Sequence, residues 1–385
     1  MRVVVAPDSF KGSLPAAEVA AALARGLRRA APDAAVVEHP VADGGEGTVD
    51  LLLRHGFTAV SARVTGPLSA PVSARYAVRG NTAVVEMAAA GGLTLVPRPD
   101  DATALSATTA GVGELLGAAL DGGADRVVLA VGGSATTDGG AGLVSALGAR
   151  LLDAGGRPVR PGGVGLLDVV RLDLVGLDPR LPGVDLAVAC DVDNPLTGAD
   201  GAAAVYGPQK GAAPATVELL DRAMARWADV VAGTVGRDLQ AVPGAGAAGG
   251  LGFGAAALLG ARIVPGIDLL LDLSGFSDVV AGADLVVVGE GALDAQTLRG
   301  KAPLRVAARA RAAGARVVAV AGRCSLTPSQ VAAAGLSVVH TLVEMEPDPA
   351  RSIARAAELL EVTGARIGAA PAPRARATRP RRTAD

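Results

Sequence analysis

The sequence predicts an α/β protein of two domains: a three-layer α/β/α, Rossmann-like domain with a second α/β domain inserted into it. Three observations carry this. The first 54 residues and the stretch from Asp284 to Leu360 both alternate short β-branched runs with helical segments across Gly-rich loops, the pattern of a parallel sheet. Between them, residues 57–87 hold short strands joined by turns, an antiparallel signature. The two βαβ pieces are far apart in the chain, so a domain built from both must carry the middle as an insertion. The expected bounds are 1–66 plus 282–368 for the first domain, 67–281 for the inserted one, and 369–385 for a disordered Arg-rich tail.

The elements follow in order. Arg2 to Ala6 reads as a buried strand, Asp8 to Ser13 as a loop, and Pro15 to Ala30 as a helix that Pro32 stops. Val36 to His39 is a second strand, and the loop Pro40 to Gly47 opens onto a helix, Thr48 to Arg54. Phe57 to Val64, Val72 to Val78 and Ala83 to Met87 are the turn-linked strands. A helix from Gly111 to Leu120, a strand from Arg126 to Val131, the loop Gly132 to Gly140 and a helix from Ala141 to Ala149 come next. Leu186 to Ala189 is a strand, and Ala213 to Val235 a helix in which Trp227 packs. The last part has strands Leu285 to Val288, Arg316 to Val320 and Leu336 to His340, and helices Pro303 to Ala313 and Pro349 to Leu360. From Ala369 on, Pro, Ala and Arg alternate without apolar periodicity.

Composition narrows the function classes. Half of the 385 residues are hydrophobic, which excludes general disorder, and two Cys exclude a disulfide scaffold. Aromatics are only 2%, so stacking platforms for nucleic acid are not expected, and the net charge of −2 indicates no basic body. That net charge hides an asymmetry: Pro373 to Asp385 carries +4, leaving about −6 on the rest. No export signal is visible, and the uncharged stretch Leu239 to Ala261 holds Pro243 and seven Gly, a poor membrane span. The expectation is a cytoplasmic protein with no membrane and no nucleic-acid partner, its oligomeric state open.

The cations are the sharpest signal. Among 36 Lys and Arg only Lys11, Lys210 and Lys301 are Lys, and each has Gly beside it. A compact ammonium binds phosphate as a point charge, so these three are expected to converge on an anionic ligand such as a polyphosphate, in a cleft between the domains. Loops at strand ends supply the rest. Asp8, Ser9 and Lys11 follow the first strand; Asp43, Gly44, Gly45 and Glu46 follow the second. Gly132, Gly133, Ser134, Thr136 and Asp138 make a glycine- and hydroxyl-rich turn at a helix start, suited to an anion. Asp191 and Asp193 alternate along an extended run with Asn194, suited to Mg²⁺ or to a base and its orienter. Glu290 and Asp294 lie beyond the strand at Leu285 to Val288. Gly244 to Gly249 fits Gly-x-Gly-x-x-Gly, but no strand precedes it, so a dinucleotide oxidoreductase rests on little. No metal-ligand spacing joins His39, His55 and His340, and no Gly-x-Ser-x-Gly elbow occurs. Cations, backbone N–H groups and clustered Asp together suit phosphoryl transfer.

Taken together these segments resemble the glycerate kinase family of bacteria. The resemblance runs through residues 6–13, 42–48, 65–68, 86–90, 132–140, 189–196, 207–211, 243–252 and 289–301, in order. It implies ATP and glycerate as substrates, Mg²⁺ as cofactor, and a two-domain α/β fold with one domain inserted in the other. It implies 2-phosphoglycerate as product ahead of the 3-isomer. Asp191, Asp193, Lys11, Lys210 and Lys301 are then the expected catalytic residues, with Asp191 and Asp193 also the metal candidates. Thr137 stands where the family usually has Asn. A binding regulator on the same scaffold, without turnover, is the alternative from another class.

Overall fold

The computed structural model describes residues 1–370. Thirteen strands form three sheets. They are β1 (Arg2–Pro7), β2 (Ala35–Glu38), β3 (Thr58–Thr65), β4 (Pro71–Arg79), β5 (Thr82–Glu86), β6 (Arg126–Ala130), β7 (Arg150–Leu152), β8 (Arg171–Asp173), β9 (Asp185–Ala189), β10 (Arg262–Val264), β11 (Leu285–Leu293), β12 (Arg316–Cys324) and β13 (Val338–Thr341). The chain divides into two compact units. Residues 1–40 and the stretch from Ser277 form unit 1; Val41–Phe276 form unit 2.

Unit 1 is a five-stranded, wholly parallel sheet in the order β13-β12-β11-β1-β2. Its strands are continuous apolar runs because both faces are covered. On one face Val3, Val5, Val287, Val318 and Val320 pack against Val19, Leu23 and Leu27 of helix Ala16–Ala30 and Leu359 and Leu360 of helix Ala356–Ala369. The intervening residues Val4, Val286 and Val288 are equally buried, and helix Ala302–Ala312 packs on β11 and β12 with Val306, Ala307 and Ala310 inward. Three layers result. The helix expected from Pro349 to Leu360 is two: Asp348 caps Pro349–Ala354, accepting from Arg351 N–H at 2.8 Å, and Ala356–Ala369 starts anew after Arg355. The helix therefore takes in Ala369, the first residue of the expected tail; from 371 on that tail lies outside the described residues.

Unit 2 is a six-stranded mixed sheet, β10-β9-β6-β5-β4-β3, parallel from β10 to β5 and antiparallel from β5 to β3. Helices Ala110–Asp121, Ala141–Ala146 and Pro214–Val235 bury Leu115, Leu143 and Trp227 in one core. Helices Thr48–Leu53 and Gly266–Leu273 bury Leu52 and Leu270 against Ala77, Val84 and Val128 of the sheet in another. This unit begins earlier than the expected boundary at 66. The reason is pairing: β3 is bonded to β4 along its whole length, from Thr58 opposite Val78 to Thr65 opposite Pro71, so residues 41–66 belong to the second sheet's core. The small hairpin β7-β8, the edge strand β10 and helix Gly266–Leu273 have no counterpart in the sequence reading.

Candidate active site

In unit 2 the C-terminal ends of β5, β6 and β9 gather three glycine- or acid-bearing loops. Gly132 N–H donates to Gly44 O at 3.1 Å, and a Cβ added at Gly132 would stand 2.4 Å from Gly45 Cα. Only glycine permits that approach. Asp43 Oδ1 accepts from Gly45 N–H at 3.0 Å, which turns the loop and leaves Glu46 and Gly47 exposed. The loop is tied from below by Glu86, at the end of β5 and only 6% exposed. Its two oxygens accept from Gly47 N–H at 2.9 Å and Val49 N–H at 3.0 Å, capping helix Thr48–Leu53 from a distance. Burial pushes the Glu86 carboxyl up, and the two N–H groups oppose the shift.

Asp191 leaves β9 toward the same place. Its Oδ1 accepts from Gly266 N–H at 2.9 Å, at the start of helix Gly266–Leu273. The residue as a whole is exposed, but its carboxyl is crowded by protein atoms. That desolvation, reinforced by the charge of Asp43, pushes it up to about 6 against the pull of the Gly266 and Ile267 N–H groups. Asp193 keeps other company: its charge acts on Cys190 and Tyr206. Asn194 is engaged within its own loop, with Nδ2 donating to Asp200 O at 2.8 Å and Oδ1 accepting from Tyr206 O–H at 2.6 Å. Burial pushes the Cys190 thiol up to about 11, so it is no nucleophile.

Three residues expected to meet a ligand lie beneath the Gly132–Gly140 loop instead. Lys210 is 2% exposed; its Nζ donates to Ser134 Oγ at 2.9 Å and to Thr136 O at 2.6 Å. Thr136 and Asp138 have no exposed surface. Asp138 accepts from Thr109 N–H, Thr109 O–H, Gly140 N–H and Gly142 N–H at 2.8 to 3.2 Å. Trp227 Nε1 donates to Gly139 O at 3.0 Å, which makes it part of this frame as well as of the core. The segment Gly244 to Gly249 packs underneath: Ala248, Gly249 and Gly250 are left-handed, and a Cβ on Gly249 would lie 1.9 Å from Thr136 O. It buttresses the loop and is no dinucleotide turn.

In unit 1 the site-bearing residues lie where the sheet's winding reverses, between β1 and β11, the place where open parallel sheets bind ligands. β11 does not stop at Val288 as expected. It pairs with β1 up to Pro7 opposite Gly289 and then continues beside β12 to Leu293, so Glu290 is a strand residue on an overhang. Asp8 N–H donates to Gly289 O at 2.8 Å and Asp8 Oδ1 accepts from Ser9 N–H at 2.6 Å, which folds the Asp8-to-Lys11 loop against that overhang. Glu290 is 8% exposed and accepts from Thr297 O–H. Burial pushes its carboxyl up, while Thr297 and then the charges of Lys301 and Lys11 pull it down. Two of the three lysines therefore act on one carboxylate. Asp294 Oδ1 accepts from Gln296 N–H at 2.8 Å and Thr297 N–H at 3.2 Å, shaping the turn before Lys301, the N-cap of helix Ala302–Ala312.

The structure thus brings Asp43, Gly44, Gly45, Gly132, Gly133 and Asp191 together in one unit and Asp8, Lys11, Glu290 and Lys301 in the other, with Thr136, Asp138 and Lys210 turned inward. The sequence reading missed Glu86 and Gly266 as site-forming residues. Glu86 carries a legible signal, an acid ending the apolar run from Ala83, since a carboxylate in a buried strand must be bonded. Gly266 carries none, because its helix is short.

Among the described residues no three His, Cys, Asp or Glu form a metal cage. Asp191 and Asp193 nevertheless suit Mg²⁺, which is usually held by one or two carboxylates together with substrate phosphates. Asp193 is exposed and, unlike Asp191, is not held by Gly266 N–H, so its carboxylate is the one open to a cation. No helix among those residues is long and apolar enough to cross a membrane.

Comparison with known proteins gives one answer. The family model described as glycerate kinase family matches residues 3–371. The chain is 45% identical over 372 residues to a glycerate kinase of Bacillus subtilis (strain 168), covering 96% of this chain and 97% of that one. It is 43% identical over 352 residues to a glycerate 2-kinase of Escherichia coli (strain K12), covering 89% and 91%. A crystal structure described as a glycerate kinase 2 from Salmonella typhimurium LT2 superposes with a TM-score of 0.81 at 42% identity, covering 96% of this chain and 97% of that one.

Proposed function

The chain belongs to the glycerate kinase family, and from that premise we propose that it transfers the γ-phosphoryl group of ATP to a hydroxyl of D-glycerate, giving 2-phosphoglycerate and ADP. The observation that carries the chemistry is Asp191: a carboxyl at a strand end, held by Gly266 N–H and pushed up to about 6, where a general base is neither fully protonated nor too weak near neutrality. The substrate oxygen attacks the γ-phosphorus, its proton passes to Asp191, and the bridging bond to ADP breaks. In unit 1, Lys11 and Lys301 offer positive charge to anionic phosphate oxygens. The N–H groups of the Gly44–Gly47 and Gly132–Ser134 loops receive anionic oxygen, and Asp43 orients a substrate hydroxyl. Asp193 is the proposed Mg²⁺ ligand, and the metal, when bound with the nucleotide, supplies charge neutralisation at the phosphates.

The E. coli relative's description as a 2-kinase supports the 2-phosphoglycerate product. The test is an ADP-release assay with D-glycerate, ATP and Mg²⁺, followed by NMR of the product. Release of ADP with the phosphate on the 2-oxygen is expected. Binding of both substrates without ADP release would replace the enzyme by a regulator, and phosphate on the 3-oxygen would overturn the product assignment.

A further inference from the structure

We infer that Lys210 is a positioning residue: from beneath the Gly132–Gly140 loop it holds Ser134 so that the serine hydroxyl donates outward, to an anionic oxygen of a substrate at that loop. The inference rests on the kinase reading and deepens it.

Lys210 closes the turn Pro208–Lys210, which the left-handed Gly211 ends, and at 2% exposed its ammonium meets no substrate. Hydrogen-bond direction sets what Ser134 can do. An ammonium has three donors and no acceptor, so in the 2.9 Å bond Ser134 Oγ must accept. The serine's own hydrogen then has to donate elsewhere. Ser134 is half-buried beside the exposed Gly133, so the open direction is the loop's outer flank.

The segment around Ser134 is also rigid. Leu93 N–H donates to Gly133 O and Ala135 N–H to Gly91 O, both at 2.8 Å, which stitches the segment on either side of Ser134. Thr136 O is fixed by Lys210 itself, and the loop's far end by the four donors on Asp138. A hydroxyl so framed is a preorganised donor.

Charge completes the arrangement. The charged group acting on Lys210 is Asp138, from the loop itself. Asp100 and Asp101 lie on the outer side of the turn, near Gly211 and Ala213, where Asp101 accepts from Ala213 N–H. Trp227 brings no charge, and neither do the residues 247–258 beneath the loop. Burial holds the Lys210 ammonium down to about 7. Above that pH the neutral amine can accept from Ser134 O–H, which turns the hydroxyl inward and removes the outward donor.

The test is steady-state kinetics with D-glycerate and MgATP for the wild-type protein, Ser134→Ala, Lys210→Met and the double variant, across the pH range around 7. Ser134→Ala should raise KM for one of the two substrates about tenfold with little change in kcat, the loss of one hydrogen bond. Which KM moves tells a carboxylate from a phosphate. The double variant should be no worse than Lys210→Met, and the wild-type KM for that substrate should rise above pH 7 while that of Ser134→Ala stays level. Unchanged KM values in Ser134→Ala, additive effects, or identical pH profiles would overturn the inference. If Lys210→Met does not fold, the comparison of wild type with Ser134→Ala decides alone. Absence of ADP release by the wild type would instead break the kinase reading.

Discussion

The two loop clusters use charge in opposite ways. In unit 1, Lys11 and Lys301 bear on Glu290 at the ends of parallel strands, and the side chains themselves make the proposed site. In unit 2 the charges of Lys210, Asp138 and Glu86 are buried under the loops, and what faces outward is glycine backbone with Asp43 and Asp191 at its margin. A lysine beside a glycine is thus a solvent-reaching cation, proposed to face the site, in one unit and a buried scaffold cation in the other. The difference follows from cost: a buried ammonium persists only where it has acceptors, and Ser134 Oγ and Thr136 O supply them. Burial, and not residue type, separates the two roles.

The sharpest break of this comparison is at Asp191. Asp191→Asn keeps the cap on Gly266 but removes the base, and should lower kcat by about 10²–10⁴ with little change in Mg²⁺ dependence. Wild-type kcat should rise through about pH 6, as the Asp191 carboxyl loses its proton, and level off above it. Asp193→Asn should instead shift the Mg²⁺ requirement upward. Wild-type rates in both variants would move the base to another carboxylate.

Next come the site-facing lysines. Lys11→Ala and Lys301→Ala should each cost about 10²–10³ in kcat/KM without changing the thermal midpoint, as loss of a charge-stabilising donor does. A fall in Tm with intact kinetics at either position would assign it to scaffold and erase the contrast with Lys210.

The scaffold of unit 2 breaks through its backbone. Gly249→Ala puts a Cβ 1.9 Å from Thr136 O at a left-handed residue, and should destabilise by about 3 kcal/mol or more, read as a shift in denaturant midpoint. A milder probe is pH. Between about 7 and the ordinary 10.5, the unfolded chain binds a proton at Lys210 that the folded chain lacks, so this residue's contribution to stability increases as pH rises through that window. Lys210→Met should flatten that part of the Tm-against-pH curve; an unchanged slope would mean that the folded ammonium keeps its ordinary pKa.

The smallest effect concerns Thr137, whose Oγ1 is buried with no hydrogen-bond partner. Thr137→Val removes an unsatisfied hydroxyl at constant shape and should stabilise by about 1 kcal/mol in chemical unfolding. Destabilisation instead would mean that the hydroxyl is bonded in solution.

Much of the fold was legible. The β-branched runs at Arg2 and Leu285, the Pro and Gly stops between helices, and the turn-linked strands after Phe57 correctly indicated a parallel sheet and a run of antiparallel strands. Local periodicity and turn chemistry suffice for such assignments, because the segments encode them directly. The loops at strand ends were legible as well, since paired glycines break the apolar runs. What the sequence could not supply was inside and outside. Nothing local separates Lys210 from Lys11 and Lys301, Asp138 from Asp43, or Glu86 from Glu46. Their burial depends on partners such as Ser134, 76 residues before Lys210, and Thr109, 29 before Asp138. The run of β11 past Val288 likewise depends on β12 continuing beside it to Cys324. The sequence by itself determined which residues could carry charge at strand ends. Only the tertiary structure decided which of them are buried and which reach the surface, because desolvation and hydrogen-bond satisfaction are set by groups brought together from distant parts of the chain.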